Sequence, residues 1–438
     1  MILHTKSILI SNLILICLLL QSHSAYADLT PKPHIGPAGI EFQSNVGIDY
    51  GYDDNVNFQS EKKTNIESDF FNVKPFIQLE GVRGADVYTL QYSGDYRQYQ
   101  EQEKSTSDNY DDHTIRFIGA WKKGVNNDLL FTIENTLGHE NRGEGLTDGL
   151  TADQFKTYGI DDVLKTNMFN TEFRYSIDKQ DSIGKLSFAA QYKELRYDDR
   201  NSDDFHVNNF NQYIKDQNWD QKTFTIELFN QASSRTRFRY SIISNLRDYK
   251  EDEQKNTNET FFVAGIKTQQ TGKTTIDANI AWLYKTFPNQ SDSQNFGGLN
   301  WDIDVAWSPV RHSTFHLFTD QSVEDPTEVG GYVLNTKYGT RWVHFWWSNR
   351  LSSELGFNYE ISEDKEQNDG KKTTTTDATA KLIYKFRPSI ILELSYQQLI
   401  NDSDKEFDDF TINDSAETII QTLGYDKSII MFTTKVQI

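Results

Sequence analysis

From about residue 40 onward the chain alternates apolar and polar side chains, segment after segment. In one segment Ile390, Leu392, Leu394 and Tyr396 share a face, and Glu393, Ser395 and Gln397 share the other. Successive Cβ atoms on a strand point to opposite faces, so this period of two predicts strands with one greasy side and one wet side. Tyr88, Leu90, Tyr92 and Tyr96 oppose Thr89, Gln91, Ser93, Asp95 and Arg97 in the same way. Phe169, Phe173, Tyr175 and Ile177 oppose Asn170, Glu172, Arg174 and Ser176. Trp301, Ile303, Val305 and Trp307 oppose Asp302, Asp304 and Ser308. The closing segment sets Ile430, Phe432, Thr434, Val436 and Ile438 against Met431, Thr433, Lys435 and Gln437. One segment, Trp342 to Trp347, does not sort, because Arg341 falls with Val343, Phe345 and Trp347.

The connections come in two classes that alternate strictly. Some are tight, such as Thr271-Gly272-Lys273 and Arg387-Pro388. Others are long, polar and acidic, such as His139 to Val163, Asp198 to Asn218 and Asn401 to Gly424. A soluble sandwich or propeller has no reason for two classes of connection, and a β-helix would show a short fixed repeat. The pattern predicts an all-β fold: a transmembrane antiparallel β-barrel of about 18 strands, with about 16 as the alternative. Short turns then face the periplasm and long loops the outside. Aromatic residues at strand ends fit interfacial girdles: Tyr50, Tyr52 and Tyr96 toward the outer surface, and Trp121, Trp307 and Trp347 beside the short turns.

Met1 to Ala27 reads as a secretory signal, with Lys6 at its start, an apolar stretch from Ile8 to Leu20, and Ala25-Tyr26-Ala27 as the cleavage site. The domain layout that follows is a signal at 1–27, a short periplasmic leader at 28–39, and the barrel at 40–438. After the signal no apolar run approaches the roughly 20 residues that a spanning helix needs. The single cysteine, Cys17, lies within the signal and follows Ile16, a poor context for lipidation. The mature chain therefore has no disulfide framework and no thiolate metal site.

Mean hydropathy is −0.66, a soluble-looking value that a barrel reaches because its two faces average out. The net charge of −20, from 44 Lys+Arg against 64 Asp+Glu, argues against nucleic acid as a partner. The acid concentrates in stretches such as Tyr197 to Asp204 and Asp402 to Asp414. These read first as solvated loops, and second as places where divalent cations bridge to lipopolysaccharide. No enzyme motif is present. His312 and His316 stand about 13 Å apart on a strand, too far for one metal ion. Ser313, next to His312, points to the other face. The chain thus offers no catalytic, metal or cofactor site. Its lumen candidates are charged: Arg235, Arg237 and Arg239 as a short ladder near the periplasmic mouth, with Glu172, Arg174, Asp302 and Asp304. The ladder attracts an anionic solute in one reading, and is neutralised by Glu227, Asp277 or Glu172 in the other.

The first strand and its exit read Gly47-Ile48-Asp49-Tyr50-Gly51-Tyr52-Asp53-Asp54-Asn55-Val56, with echoes at Tyr110-Asp111-Asp112 and Tyr197-Asp198-Asp199-Arg200-Asn201. This opening resembles that of the outer-membrane β-barrel porins of the beta-barrel porin 2 type, a family associated with exopolysaccharide and capsule biosynthesis. The resemblance implies a passive conduit or accessory in polysaccharide export, with no catalytic residues. It implies as partners outer-membrane lipid and lipopolysaccharide, the barrel-assembly machinery, a separate periplasmic polysaccharide-export protein, and polysaccharide itself. Three other readings stay open: a general or small-solute porin, a barrel hydrolase, which needs a serine, histidine or aspartate cluster at the rim, and a structural or adhesive barrel plugged by its own loops. For the last, His139 to Val163 is long enough to fold inward.

Overall fold

A computed structural model describes residues 34–36, 39–60, 64–100, 107–178, 184–198, 204–290, 295–325, 332–346, 349–365, 370–411 and 418–437. The signal at 1–27 lies outside the described residues, as do Trp347 and Ile438. Of the leader, His34–Ile35 is described, and it bridges antiparallel to Phe42 and Glu41.

Eighteen strands form the wall. They are β1 Glu41–Asp53, β2 Ser68–Arg83, β3 Asp86–Tyr99, β4 Tyr110–Lys123, β5 Asn127–Glu140 and β6 Leu164–Asp178. Next come β7 Gly184–Tyr197, β8 Trp219–Ser233, β9 Thr236–Tyr249, β10 Thr257–Thr271, β11 Thr274–Thr286 and β12 Phe296–Val310. The last are β13 Ser313–Glu324, β14 Val333–Phe345, β15 Leu351–Asp364, β16 Lys372–Arg387, β17 Ile390–Ser403 and β18 Tyr425–Gln437. Each strand pairs antiparallel with the next in sequence, and β1 pairs with both β2 and β18, so the sheet closes on itself. Closure leaves no edge, which is the condition for holding a sheet in hydrocarbon, where no water satisfies an open N–H or C=O.

The alternation read from the sequence maps onto the two faces of this wall. Phe224, Ile226 and Leu228 of β8 are 53%, 49% and 44% exposed, as side chains facing lipid must be when no lipid is present. Between them, Thr225 and Glu227 turn inward, where Glu227 meets Arg174 of β6. The segment that did not sort is settled by register. Arg341 pairs with His316 and Gly356, opposite the exposed Leu317 and Leu355, so Arg341 points into the lumen. Val343 and Phe345 follow it inward at the periplasmic end, and Trp342 faces out, donating its indole N–H to Ser313 Oγ at 2.7 Å.

A barrel has no interior oil, so its apolar core forms elsewhere, among the long loops. Leu146, Leu150, Phe155, Tyr158, Ile160, Phe210, Tyr213, Ile214 and Ile419 pack into one buried cluster with Leu164. They come from loop 141–163 with helix α1 Ala152–Thr157, from helix α2 Phe205–Lys215, and from a loop hairpin, Phe407–Thr411 with Thr418–Thr422. Thr151 caps α1 with a full capping box to Gln154, and Asp204 caps α2. Each large side chain buried this way contributes about 1.5–3 kcal/mol. The cluster makes an extracellular cap with its own packing.

Candidate functional site: the lumen and its inward loop

The described residues of the first extracellular loop, 54–60 and 64–67, fold onto the lumen wall. Val56 is buried with Phe70 and Tyr99, and Ile66, Ile429 and Met431 pack against them. Phe70, Tyr99, Ile429 and Met431 are lumen-facing positions of β2, β3 and β18, so these contacts narrow the passage from one side. Glycine is needed at position 51, because a Cβ there would lie 2.5 Å from the Phe70 ring and 2.7 Å from the Ile430 carbonyl.

The strand exit Asp53-Asp54-Asn55 holds this loop to the last strand. Asp53 is fully buried and pairs with Lys427 at 2.9 Å. Asp54 Oδ1 accepts from the Ser428 N–H at 2.6 Å, and the Asp54 N–H donates to the Ser428 carbonyl at 3.2 Å. The Asn55 amide donates to the Asp426 carbonyl and to the Gln59 carbonyl, both at 2.9 Å. Lys427 Nζ also donates to the Asn55 carbonyl at 2.9 Å and sits 3.7 Å above the Phe58 ring. Three consecutive residues of the first strand exit thus clasp three consecutive residues of the closing strand. A cavity of about 200 Å³ beside the clasp is lined by Arg97, Tyr99, Glu144, Gln397 and Lys427, among others.

Below the loop the lumen wall carries opposite charges in neighbouring pairs. Lys74 reaches Asp49 at 3.0 Å and Asp95 at 3.8 Å. Arg174 reaches Glu172 at 2.8 Å and Glu227 at 3.2 Å. Lys267 meets Asp277 at 2.7 Å, and Arg116 pairs with Glu134. A cavity of about 570 Å³ opens here, bounded by Asn45, Lys74, Ser93, Asp95, Asp112 and Thr114, among others.

The arginine ladder is shorter than the sequence suggests. Arg235 lies in the turn between β8 and β9 rather than on a strand, because β9 begins only at Thr236. Arg237 and Arg239 are on the lumen face. Arg237 lies 5.1 Å from the centre of the Phe229 ring, and Arg239 donates to Asn279 Oδ1 at 2.8 Å. The acids weighed as their partners are engaged elsewhere: Glu227 and Glu172 with Arg174, Asp277 with Lys267. Asp302 stands opposite Asp320 in register, and Asp304 faces His316 at 3.5 Å. Of the aromatic candidates, Tyr50, Tyr52, Tyr96 and Trp307 are exposed on the lipid face. Trp121 donates its indole N–H to Tyr88 at 3.1 Å.

Sequence reasoning missed a second charged cluster, at the extracellular end of β8 to β11. Lys285 is fully buried and donates to Glu259 at 3.0 Å and to Asp325. Arg247 pairs with Asp325, holds Gln221 Oε1 through Nε at 3.0 Å and Nη2 at 2.7 Å, and lies 4.6 Å over the Trp219 ring. Burial pushes the Asp325 carboxyl up, but Lys285 and Arg247 outweigh it and hold the group below the ordinary aspartate value. Asp325 follows β13 directly, three strands away in the wall from β10, so no pattern within one strand announces the meeting.

A closed antiparallel wall, a lipid-facing apolar band and a charged lumen describe an outer-membrane channel architecture. The model of a family described as Putative beta-barrel porin 2 matches residues 33–420. The chain belongs to that family. Beta-barrel porin 2 membership places this protein in the bacterial outer membrane as a porin-like barrel. No match is found among curated proteins. Among solved structures, OpdK of Pseudomonas aeruginosa with vanillate is similar at 10% identity and a TM-score of 0.49, over 91% of this chain and 99% of that one. A BenF-like porin from Pseudomonas fluorescens Pf-5 gives 10% identity and a TM-score of 0.49 over 91% and 99%. The FrpB iron transporter from Neisseria meningitidis gives 10% and 0.46 over 90% and 82%. At these values the likenesses carry no statement about what this porin passes.

Proposed function

We propose that this porin is a constricted diffusion channel for small polar solutes. The observation that supports the reading is the inward loop: its described residues, 54–60 and 64–67, pack on the lumen wall through Val56 and Ile66, above a lining of paired charges. Paired charges favour water and polar solutes over apolar ones without binding either sign of ion tightly. Export of a polysaccharide chain, as the resemblance implies, makes a heavier demand. The polymer needs a path past both the inward loop and the apolar cap, whose buried side chains would have to separate.

The test is conductance in planar bilayers, together with liposome swelling in sugars of increasing size. Small steps that grow when residues 56–66 are replaced by a short glycine-serine turn support the reading. A large wild-type conductance that ignores that replacement, or uptake of long oligosaccharides, refutes it.

A further inference from the structure

The cluster around Arg247 and Lys285 is built like a ligand site whose occupant belongs to the protein. Three donors converge on one carboxylate: Lys285 on Asp325 Oδ1, and Arg247 and Tyr249 on Asp325 Oδ2, Tyr249 at 3.3 Å. The donors stand on β9 and β11, whereas Asp325 arrives from the segment after β13. Each cation also has support of its own. Arg247 is held by Gln221 and stacked on Trp219, and Lys285 is held by Glu259, which in turn accepts from Asn245 at 3.0 Å. Removing Asp325 still leaves each cation its contacts to Gln221 and Trp219 or to Glu259, an arrangement that suits preorganisation toward an anion. The charge then changes from balanced, two cations against Glu259 and Asp325, to one uncompensated positive charge on the lumen face.

We propose that Arg247 and Lys285 form a binding site for the carboxylate of a permeating solute, and that Asp325 is a tethered stand-in that the solute displaces. This rests on the channel reading and deepens it by naming a solute class: monocarboxylates. A tethered carboxylate competes at a high effective concentration, so the wild-type site is weak for free ligand and strengthens when the tether loses its charge.

Binding to detergent-purified full-length protein, followed by isothermal titration with benzoate as probe and benzyl alcohol as neutral control, tests the site without a membrane. Asp325→Asn is expected to bind benzoate at least tenfold more tightly than wild type. Adding Arg247→Gln to that variant is expected to abolish the gain, with benzyl alcohol unaffected throughout. No gain in Asp325→Asn, with heat-modifiable gel mobility showing that the barrel is folded, overturns the proposal and leaves Asp325 as a structural ion-pair partner. Wild-type crystals soaked at a benzoate concentration that saturates the weak wild-type site give a measurement that needs no variant: ligand density between Arg247 and Lys285 supports the site, and an undisturbed Asp325 overturns it. A protein that binds benzoate yet shows no conductance sinks the channel reading while the site stands.

Discussion

Replacing Lys427 with methionine removes the cation that pairs with Asp53 in a fully buried setting. Breaking a buried pair by deleting one partner leaves an unpaired charge, at a cost of about 3–5 kcal/mol. The hydrogen bond to the Asn55 carbonyl and the ammonium–ring contact with Phe58 go with it. The loss falls at a vulnerable place. The seam between β1 and β18 has nine register partners, from Asn45 to Asp53, against thirteen between β1 and β2. The double variant Asp53→Asn with Lys427→Met removes both charges, and its cost is expected to fall short of the two single costs added together by about 1–3 kcal/mol. Urea titration in lipid vesicles, read by heat-modifiable mobility on gels, measures all three. A Lys427→Met cost below about 0.5 kcal/mol, within what ordinary surface changes produce, would refute the argument that this pair secures the seam. Simple additivity in the double variant would refute it equally.

Three further outcomes follow from the geometry. Reversing both lumen arginines, Arg237→Glu with Arg239→Glu, is expected to shift bilayer reversal potentials toward cations; an unchanged potential would show that they do not border the permeation path. Truncating Phe210 to alanine in the cap is expected to cost about 3–5 kcal/mol of cap packing and to expose loop 141–163 to protease, while gel mobility of the barrel stays the same. Burial pushes the carboxyls of Asp148 and Asp216 up; Lys371 only partly offsets this at Asp148, and Gln212 at Asp216. Their packed, protonated forms therefore stabilise the cap fully below the ordinary aspartate value, and this support is lost as pH rises through the raised values. Asp325 has the opposite sign, since its contacts are lost as pH falls through its depressed value. Amide exchange in loop 141–163 should slow as pH is lowered through these raised values, after correction for intrinsic rates, and faster exchange would contradict the assignment.

Most of the wall was legible in the sequence because lipid and water impose opposite demands on alternate residues. In β3 or β17 a one-residue slip would put Arg97 or Glu393 into hydrocarbon, so the face of every side chain follows from the pattern. Legibility fails where neither solvent dictates. Around Arg341 the wall reaches the periplasmic interface, where Trp342 and His344 face outward and Val343 and Phe345 inward, so aromatic and apolar groups occupy both faces. Arg235 closes the tight turn read from the sequence at Gln231 to Arg235, one residue before the strand starts, so only Arg237 and Arg239 of the ladder stand on the strand. The loops were the harder part. His139 to Val163 had the length to fold inward, yet its apolar residues pack in the cap, while the shorter 54–67 lines the lumen. Val56, Phe58 and Ile66 mark that shorter loop, and the partners Ile429 and Met431 lie at the far end of the chain. The Asp53-Asp54-Asn55 exit stood out as a motif, but its meaning needed Asp426-Lys427-Ser428 beside it.

The inward loop and the cap do not act separately. Gln59 on the loop donates to the Leu150 carbonyl in the cap at 2.9 Å. Gly143 in the cap approaches the loop so closely that a Cβ there would lie 2.3 Å from the Asn57 carbonyl. The cap in turn holds the loop hairpin, through Gln421 donating to the Asp148 carbonyl at 2.7 Å and Thr422 N–H to the Gly149 carbonyl at 2.7 Å. That hairpin leads directly into β18, which carries Lys427 and so returns to the clasp. The contacts form a ring: clasp, inward loop, cap, hairpin, closing strand. A ring of this kind resists opening at any one contact, because each released group leaves its neighbours still held. Widening the lumen therefore requires either breaking the apolar cluster of the cap or swinging loop 54–67 away from Phe70 and Tyr99, and the second costs fewer buried side chains. The inward loop is the element on which conductance should depend most, and the cap the element that sets how far the loop can travel.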